Sequence, residues 1–246
     1  MFERDDSGGT GAAAAVPPRL LSLSSQAAKT ARMTDPAPIR RRRTQSERSA
    51  ETREKLIQAA ITCLHRTGYS ATTITTVAEE AQVSRGAMTH QFPAKTDLML
   101  AVVRAVVKED GRLHDAAAAR LGAQQWLNAL PETMWGVISR PAGIAVMEIM
   151  LASRSDPDLA AQLRRLQTAI DADAQVWLDQ RIRSAGMEPR PDTRAIHELC
   201  VAAVRGLALE ATFMNNDEGV HRSLAVLSQL LRDLFPTDAP PKERPE

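Results

Sequence analysis

Residues 72–95 read TTITTVAEEAQVSRGAMTHQFPAK, and this stretch decides the fold. Ile74, Val77, Ala78 and Ala81 recur at i, i+3, i+4 and i+7, so one helical stripe is apolar. Thr73 stands just ahead of that stripe, where its hydroxyl can cap free backbone N–H groups. Gln82 and Val83 make a turn, and Ser84 offers a second cap. A second helix runs to Gln91, before Phe92 and Pro93 end it. Val83, Ala87 and Met88 can face the first helix, which leaves Arg85, Gly86, Thr89, His90 and Gln91 outward. A short helix with that surface suits the major groove of DNA, which admits one α-helix and rewards donors and acceptors near its N-terminus.

Working outward, residues 51–67 form the preceding helix, with Leu56, Ile57, Ala60, Ile61 and Leu64 as its buried stripe and Gly68 as its stop. It is expected to close a three-helix domain over the two helices of the reading unit. From Lys95 to about Leu113 a fourth helix leads away, with Leu98, Val102, Ala105 and Val106 on one side; residues 115–122 continue or restart it.

This region resembles the helix-turn-helix domain of the TetR family of transcriptional regulators. The resemblance rests on Gly68-Tyr69, Thr72-Thr73-Ile74, Val77-Ala78, Ala81, Val83-Ser84, Gly86, Phe92 and Lys95-Thr96-Asp97-Leu98, and it covers about residues 51–110. Three positions depart from the family pattern: Gln82 where the turn usually has Gly, Thr89 where a Tyr often touches phosphate, and Ala94 where Ser or Asn usually caps. The resemblance implies a dimeric regulator of double-stranded operator DNA, most simply a ligand-responsive repressor on a palindromic site. Its DNA-contacting residues would be Thr72, Thr73, Ser84, Arg85, Gly86, Thr89, His90, Gln91 and Lys95. It also implies a larger C-terminal bundle that senses a small apolar effector and dimerises. An activator or a ligand-independent regulator is the alternative of the same fold; a helical adaptor or an enzyme with no DNA role is the alternative of another class.

Composition agrees with an all-α fold. Aromatic residues are 3% of the 246, and alternating β-branched runs are missing outside the Thr-rich helix start. The net charge of +1 is uninformative as a total, but residues 40–96 hold ten Lys and Arg against five acids, a local +5 that leaves −4 for the remainder. The basic part is the part with the DNA-reading pattern.

The domain plan is therefore a disordered basic extension over 1–43, a DNA-binding domain over 50–110 with its motif at about 73–92, a sensing and dimerisation domain over 111–235, and a loose tail over 236–246. Met33 is a candidate natural start. Arg40, Arg41, Arg42 and Arg43 read either as a solvated tail or as an arm on phosphate or in the minor groove.

In the C-terminal region, Pro131 is expected to kink a helix or start a new one, residues 157–185 form a long helix capped by Asp156, and two last helices cover about 193–216 and 218–235. Trp126, Met134, Trp135, Met147, Met150, Trp177, Phe213 and Met214 either line an apolar pocket or are ordinary core. Glu148, set in the apolar run AVMEIM, needs a partner: an ion pair with Arg140 or Arg154, or a ligand for which it is the polar anchor. Leu199, Ala202, Ala203, Gly206, Leu207, Leu209 and Glu210, with the stripe Val220, Leu224, Leu227, Leu231 and Leu234, resemble a two-fold helical interface, with part of each stripe packing within the protomer instead.

Cys63 and Cys200 sit among apolar residues as small buried hydrophobes. No apolar run of about 18 residues suggests a membrane span, and a cytoplasmic location is expected. The enzyme motifs Gly-x-Ser-x-Gly, a phosphate-cradling glycine loop and His-Glu-x-x-His are missing, and His65, His90, His114, His197 and His221 have no metal spacing. Catalysis, cofactor and metal are therefore not expected.

Overall fold

The computed structural model describes residues 44–214 and 216–236. The extension over 1–43, its arginines and Met33 lie outside the described residues, as do residues 237–246 of the tail.

Ten helices make up the described chain. The first, α1 (Gln45–Ala71), begins six residues earlier than its apolar stripe suggests, because a polar capping box starts it: Glu47 N–H donates to Thr44 Oγ1 at 3.2 Å and Thr44 N–H to Glu47 Oε2 at 2.7 Å. The expected stop at Gly68 is a break within the helix: Gly68 takes φ 75°, and one last turn carries the chain to Ala71. Then come α2 (Ile74–Glu80) and α3 (Arg85–Gln91), each opened by the expected hydroxyl cap, Thr73 accepting from Thr76 N–H at 3.1 Å and Ser84 from Ala87 N–H at 3.2 Å.

The next helix, α4 (Lys95–Leu121), is one unbroken rod of 27 residues, about 40 Å long. Ala94 cannot cap it, so the Asp97 carboxylate accepts the Ala94 N–H instead, at 3.1 Å. Pro131 starts a new helix, since a proline is tolerated in a first turn and not in an interior; α5 (Ala123–Asn128) gives way to α6 (Leu130–Ile138), followed by α7 (Pro141–Ala152). The 28-residue α8 (Pro157–Ser184) opens on Asp156, which accepts the Leu159 N–H at 3.0 Å, and α9 (Thr193–Met214) and α10 (Asp217–Leu234) complete the chain.

Two apolar cores are strung along α4 and α8. One gathers Leu56, Leu64, Val77, Met88, Phe92 and Leu98 of the first four helices and continues into Ala145 and Ile149 of α7 and Leu159 and Leu163 of α8. Helices α2 and α3 thus share their core with the bundle, and α7 is the principal neighbour of α1. The other joins Trp126, Leu130 and Met134 to Ile182, Cys200, Val204, Leu224 and Leu231.

The last helix corrects one expectation. Val220, Leu224 and Leu231 are buried inside the protomer, and Leu227 packs against the second core. The apolar residues that α10 leaves to solvent are Val226 (59% exposed), Leu230 (53%) and Leu234.

Candidate nucleic-acid interface and bundle interior

Helix α3 is held by a single fully buried side chain, Met88, with Phe92 closing its end beneath the Arg53 guanidinium, 4.4 Å from the ring centroid. That anchorage turns Arg85, Gly86, Thr89 and His90 to solvent. Among the described residues the Arg85 side chain has no hydrogen-bond or ion-pair partner, so its five donors are free for another molecule. A Cβ on Gly86 would meet nothing within 4 Å, so the backbone there is open to close approach. Thr89 donates its hydroxyl to the Arg85 carbonyl at 2.9 Å and keeps its oxygen available as an acceptor.

Three expected members of this face sit elsewhere. Thr72 is fully buried, donating its hydroxyl to the Gly68 carbonyl at 2.8 Å, because the break at Gly68 leaves that carbonyl in need of a donor. Gln91 turns back to α1, where its amide donates to Ser49 Oγ at 2.7 Å. Lys95 points inward: its ammonium donates to the Tyr69 carbonyl at 2.8 Å and lies 3.7 Å from the Tyr69 ring centroid. Burial lowers the Lys95 pKa from the ordinary lysine value, and Asp156 opposes part of that.

Arg53 was missed from the sequence. Its Nη1 donates to the Gln91 carbonyl at 3.4 Å, which puts an exposed guanidinium at the C-terminal end of α3. The two positions are 38 residues apart, and only the packing of α1 across α3 joins them. Gln82 takes φ 55° in the turn, a left-handed position where glycine costs less.

In the bundle, Trp126 is fully buried and meets His114 and Trp177 edge-on at centroid distances of 5.8 and 5.0 Å. Trp126 Nε1 and His114 Nδ1 are buried without hydrogen-bond partners among the described residues. Met134 and Met147 are buried core, while Trp135, Met150 and Trp177 are half-buried. None of these residues lines a small, partly open apolar pocket of about 10 Å³, which is walled by Leu130, Ile182, Ile196, His197, Leu231 and Phe235, among others. That volume is room for about one water. Burial holds the His197 imidazole below the ordinary histidine range, and His114 adds to that, against smaller pulls from Asp110, Glu198 and Asp171.

Phe213 is 80% exposed and Met214 stands beside it in solvent, so neither can line an interior pocket. Both lie at the end of α9, where Leu199 (68% exposed), Ala202, Gly206, Leu209 and Phe213 make an outward apolar row. Glu148 pairs with neither Arg140 nor Arg154 among the described residues; its Oε2 accepts the Tyr69 N–H at 3.1 Å.

Among the described residues no three His, Cys, Asp or Glu side chains gather to hold a metal ion. No single described helix is long and apolar enough to cross a membrane; the bent pair α6 and α7, at 78° to each other, reaches that length and composition only together.

Residues 56–102 match the family model described as bacterial regulatory proteins, tetR family. The transcriptional regulator CymR of Pseudomonas putida is 31% identical over 201 residues, covering 79% of this chain and 96% of that protein. The transcriptional repressor AcnR of Corynebacterium glutamicum is 24% identical over 190 residues, covering 76% of this chain and 95% of that protein. In fold, a TetR transcription regulator from Haloarcula marismortui superposes with a TM-score of 0.59 at 16% identity, over 75% of this chain and 98% of that one.

Proposed function

This chain belongs to the TetR family of bacterial regulatory proteins and is a DNA-binding transcriptional regulator, and from that premise we propose that it is a dimeric, ligand-responsive repressor of a palindromic operator. The reading face is the exposed side of α3. Arg85 carries it: a free guanidinium in the first turn of a helix that rises from the surface is what bidentate recognition of a guanine requires. His90 and Thr89 supply further polar edges, and the arginines at 40–43 stand upstream in the sequence as phosphate contacts.

The proposed dimer uses the outward rows of α9 and α10. Leu199, Leu209 and Phe213 on one helix and Val226, Leu230 and Leu234 on the other form an apolar surface of a kind that monomers rarely leave to water. Pairing two such helix pairs across a two-fold axis gives a four-helix interface and two reading helices about 34–36 Å apart, one turn of DNA. The name of the relative AcnR supports repression. The division into a reading domain over 50–110 and a sensing bundle over 111–235 belongs to the same proposal.

One observation favours a second reading, a regulator that senses no small molecule: the pocket walled by Leu130, Ile182 and His197 holds about one water, so an effector bound there would have to open it. The test is a salt titration of binding to duplexes from the gene's own upstream region, followed by the same assay with small apolar compounds and cell extracts. Sequence-specific binding that an added compound releases supports the proposal. Specific binding that no compound or extract alters favours the second reading, and binding indifferent to sequence overturns both.

A further inference from the structure

A glutamate within an apolar helix has to be explained by what it holds. In α7 the run Ala145-Val146-Met147-Glu148-Ile149-Met150 packs on α1, and Glu148 reaches the one place where α1 breaks. Gly68 at φ 75° leaves the N–H of Tyr69 without an intrahelical acceptor, and Glu148 Oε2 takes it at 3.1 Å. The fit is close: a Cβ added to Gly68 would stand 3.2 Å from that oxygen.

The same residue is gripped from the other elements. The Tyr69 carbonyl accepts from Lys95, the first residue of α4, at 2.8 Å, and the ring lies under the Lys95 ammonium. The Tyr69 hydroxyl is 3.5 Å from Asp156 Oδ2, the residue that caps α8. Bundle helices α7 and α8 thus meet the start of α4 on one residue, and three residues later Thr72 ends the turn and α2 begins.

We propose that Glu148 is a positioning residue for DNA recognition: by accepting the Tyr69 N–H it ties the corner between α1 and α2 to helix α7, so the bundle sets the pose of the reading helix. A shift of α7 reaches that corner through this hydrogen bond as well as through the packing of α7 on α1, and at Glu148 the acceptor rather than the charge is what matters. This rests on the DNA-binding reading above.

The test uses the full chain with Glu148→Ala and Glu148→Gln. The probes are a duplex selected by the wild-type protein from a random pool and a scrambled duplex of equal length. Glu148→Ala is expected to lose affinity for the selected duplex within the range of about 5–150-fold that coupling between sites spans, and to lose less on the scrambled one. Glu148→Gln keeps most of the affinity, because its amide oxygen still accepts. Amide exchange at Tyr69 quickens in Glu148→Ala and not in Glu148→Gln.

Wild-type affinity in Glu148→Ala, an equal loss in Glu148→Gln, or a loss accounted for by the unfolded fraction in urea would each overturn the proposal. A wild-type protein that selects no duplex sinks the DNA-binding reading instead. In that case unchanged Tyr69 exchange in Glu148→Ala would dispose of the joint by itself.

Discussion

The Lys95 ammonium donates to the Tyr69 carbonyl at 2.8 Å while standing 3.7 Å from the centroid of the same residue's ring. One side chain thus ties the first turn of α4 to the last turn of α1. Replacing Lys95 with Met removes a charged donor and a cation–π contact while keeping most of the stem. The expected cost is about 1–3 kcal/mol of stability, read by urea denaturation. The salt dependence of DNA binding is expected to keep its slope. A slope reduced by about 0.9 would show that the ammonium leaves Tyr69 for a phosphate.

Arg85→Ala is expected to weaken binding to the cognate duplex by about 1–3 kcal/mol and to relax preference at one base position, with stability little changed because the side chain is exposed and has no hydrogen-bond or ion-pair partner among the described residues. Binding to a panel of single-base operator variants measures this. If the variant keeps the wild-type ranking of that panel, Arg85 does not read a base.

Gln82 carries a side chain through φ 55°. Gln82→Gly relieves a left-handed penalty of about 1–2 kcal/mol and returns about 0.5–1 kcal/mol to unfolded-chain entropy. The variant is expected to gain up to about 1 kcal/mol in urea denaturation. A destabilised variant would mean that the Gln82 side chain contributes more than its backbone strain costs.

The fold was legible wherever one local rule acted alone. Thr73, Ser84 and Asp156 cap the helices that follow them, and Pro131 begins a helix because its ring allows little else. The exposure of Arg85, Gly86, Thr89 and His90 was legible because the apolar partners on α3 left them no other side. What escaped depended on distant partners. Thr72 and Lys95 carry polar groups that suit DNA equally well, and only the break at Gly68 draws both inward. The partner of Glu148 is a backbone N–H 79 residues away, which no side-chain pairing rule names. On α10 two apolar rows lie side by side, and spacing alone does not say which faces the protomer.

His197 gives the bundle a pH dependence whose sign follows from burial. Its pKa is lowered by desolvation first and by His114 second, so the folded protein resists a proton that the unfolded chain accepts near 6.5. Between the folded value and 6.5 the unfolded state binds more protons, so stability rises with pH through that window and is lost as pH falls through it. His197→Gln is expected to flatten this acid limb. Urea denaturation at pH 7.5 and 5.5 measures it: the difference between the two is expected to be smaller in the variant, and an equal difference would assign the limb to another group.

The dimer face is tested by two leucines three residues apart on α10. Leu230 lies one turn from both Val226 and Leu234, and all three are exposed in the protomer. Leu230→Glu therefore leaves protomer folding alone but puts a charge into the proposed interface, where burial without a partner costs several kcal/mol. Sedimentation is expected to shift to monomer with circular dichroism unchanged, and operator affinity is expected to fall steeply, because one half-site retains few of the contacts. Leu227 packs instead against the core that holds Trp126 and Leu224. Leu227→Glu is therefore expected to lower the unfolding midpoint before it changes association. A Leu230→Glu protein that remains a dimer with full affinity would remove α10 from the interface. A reversal, with Leu227→Glu folded and monomeric and Leu230→Glu indistinguishable from wild type, would show that the inward row is the one that pairs.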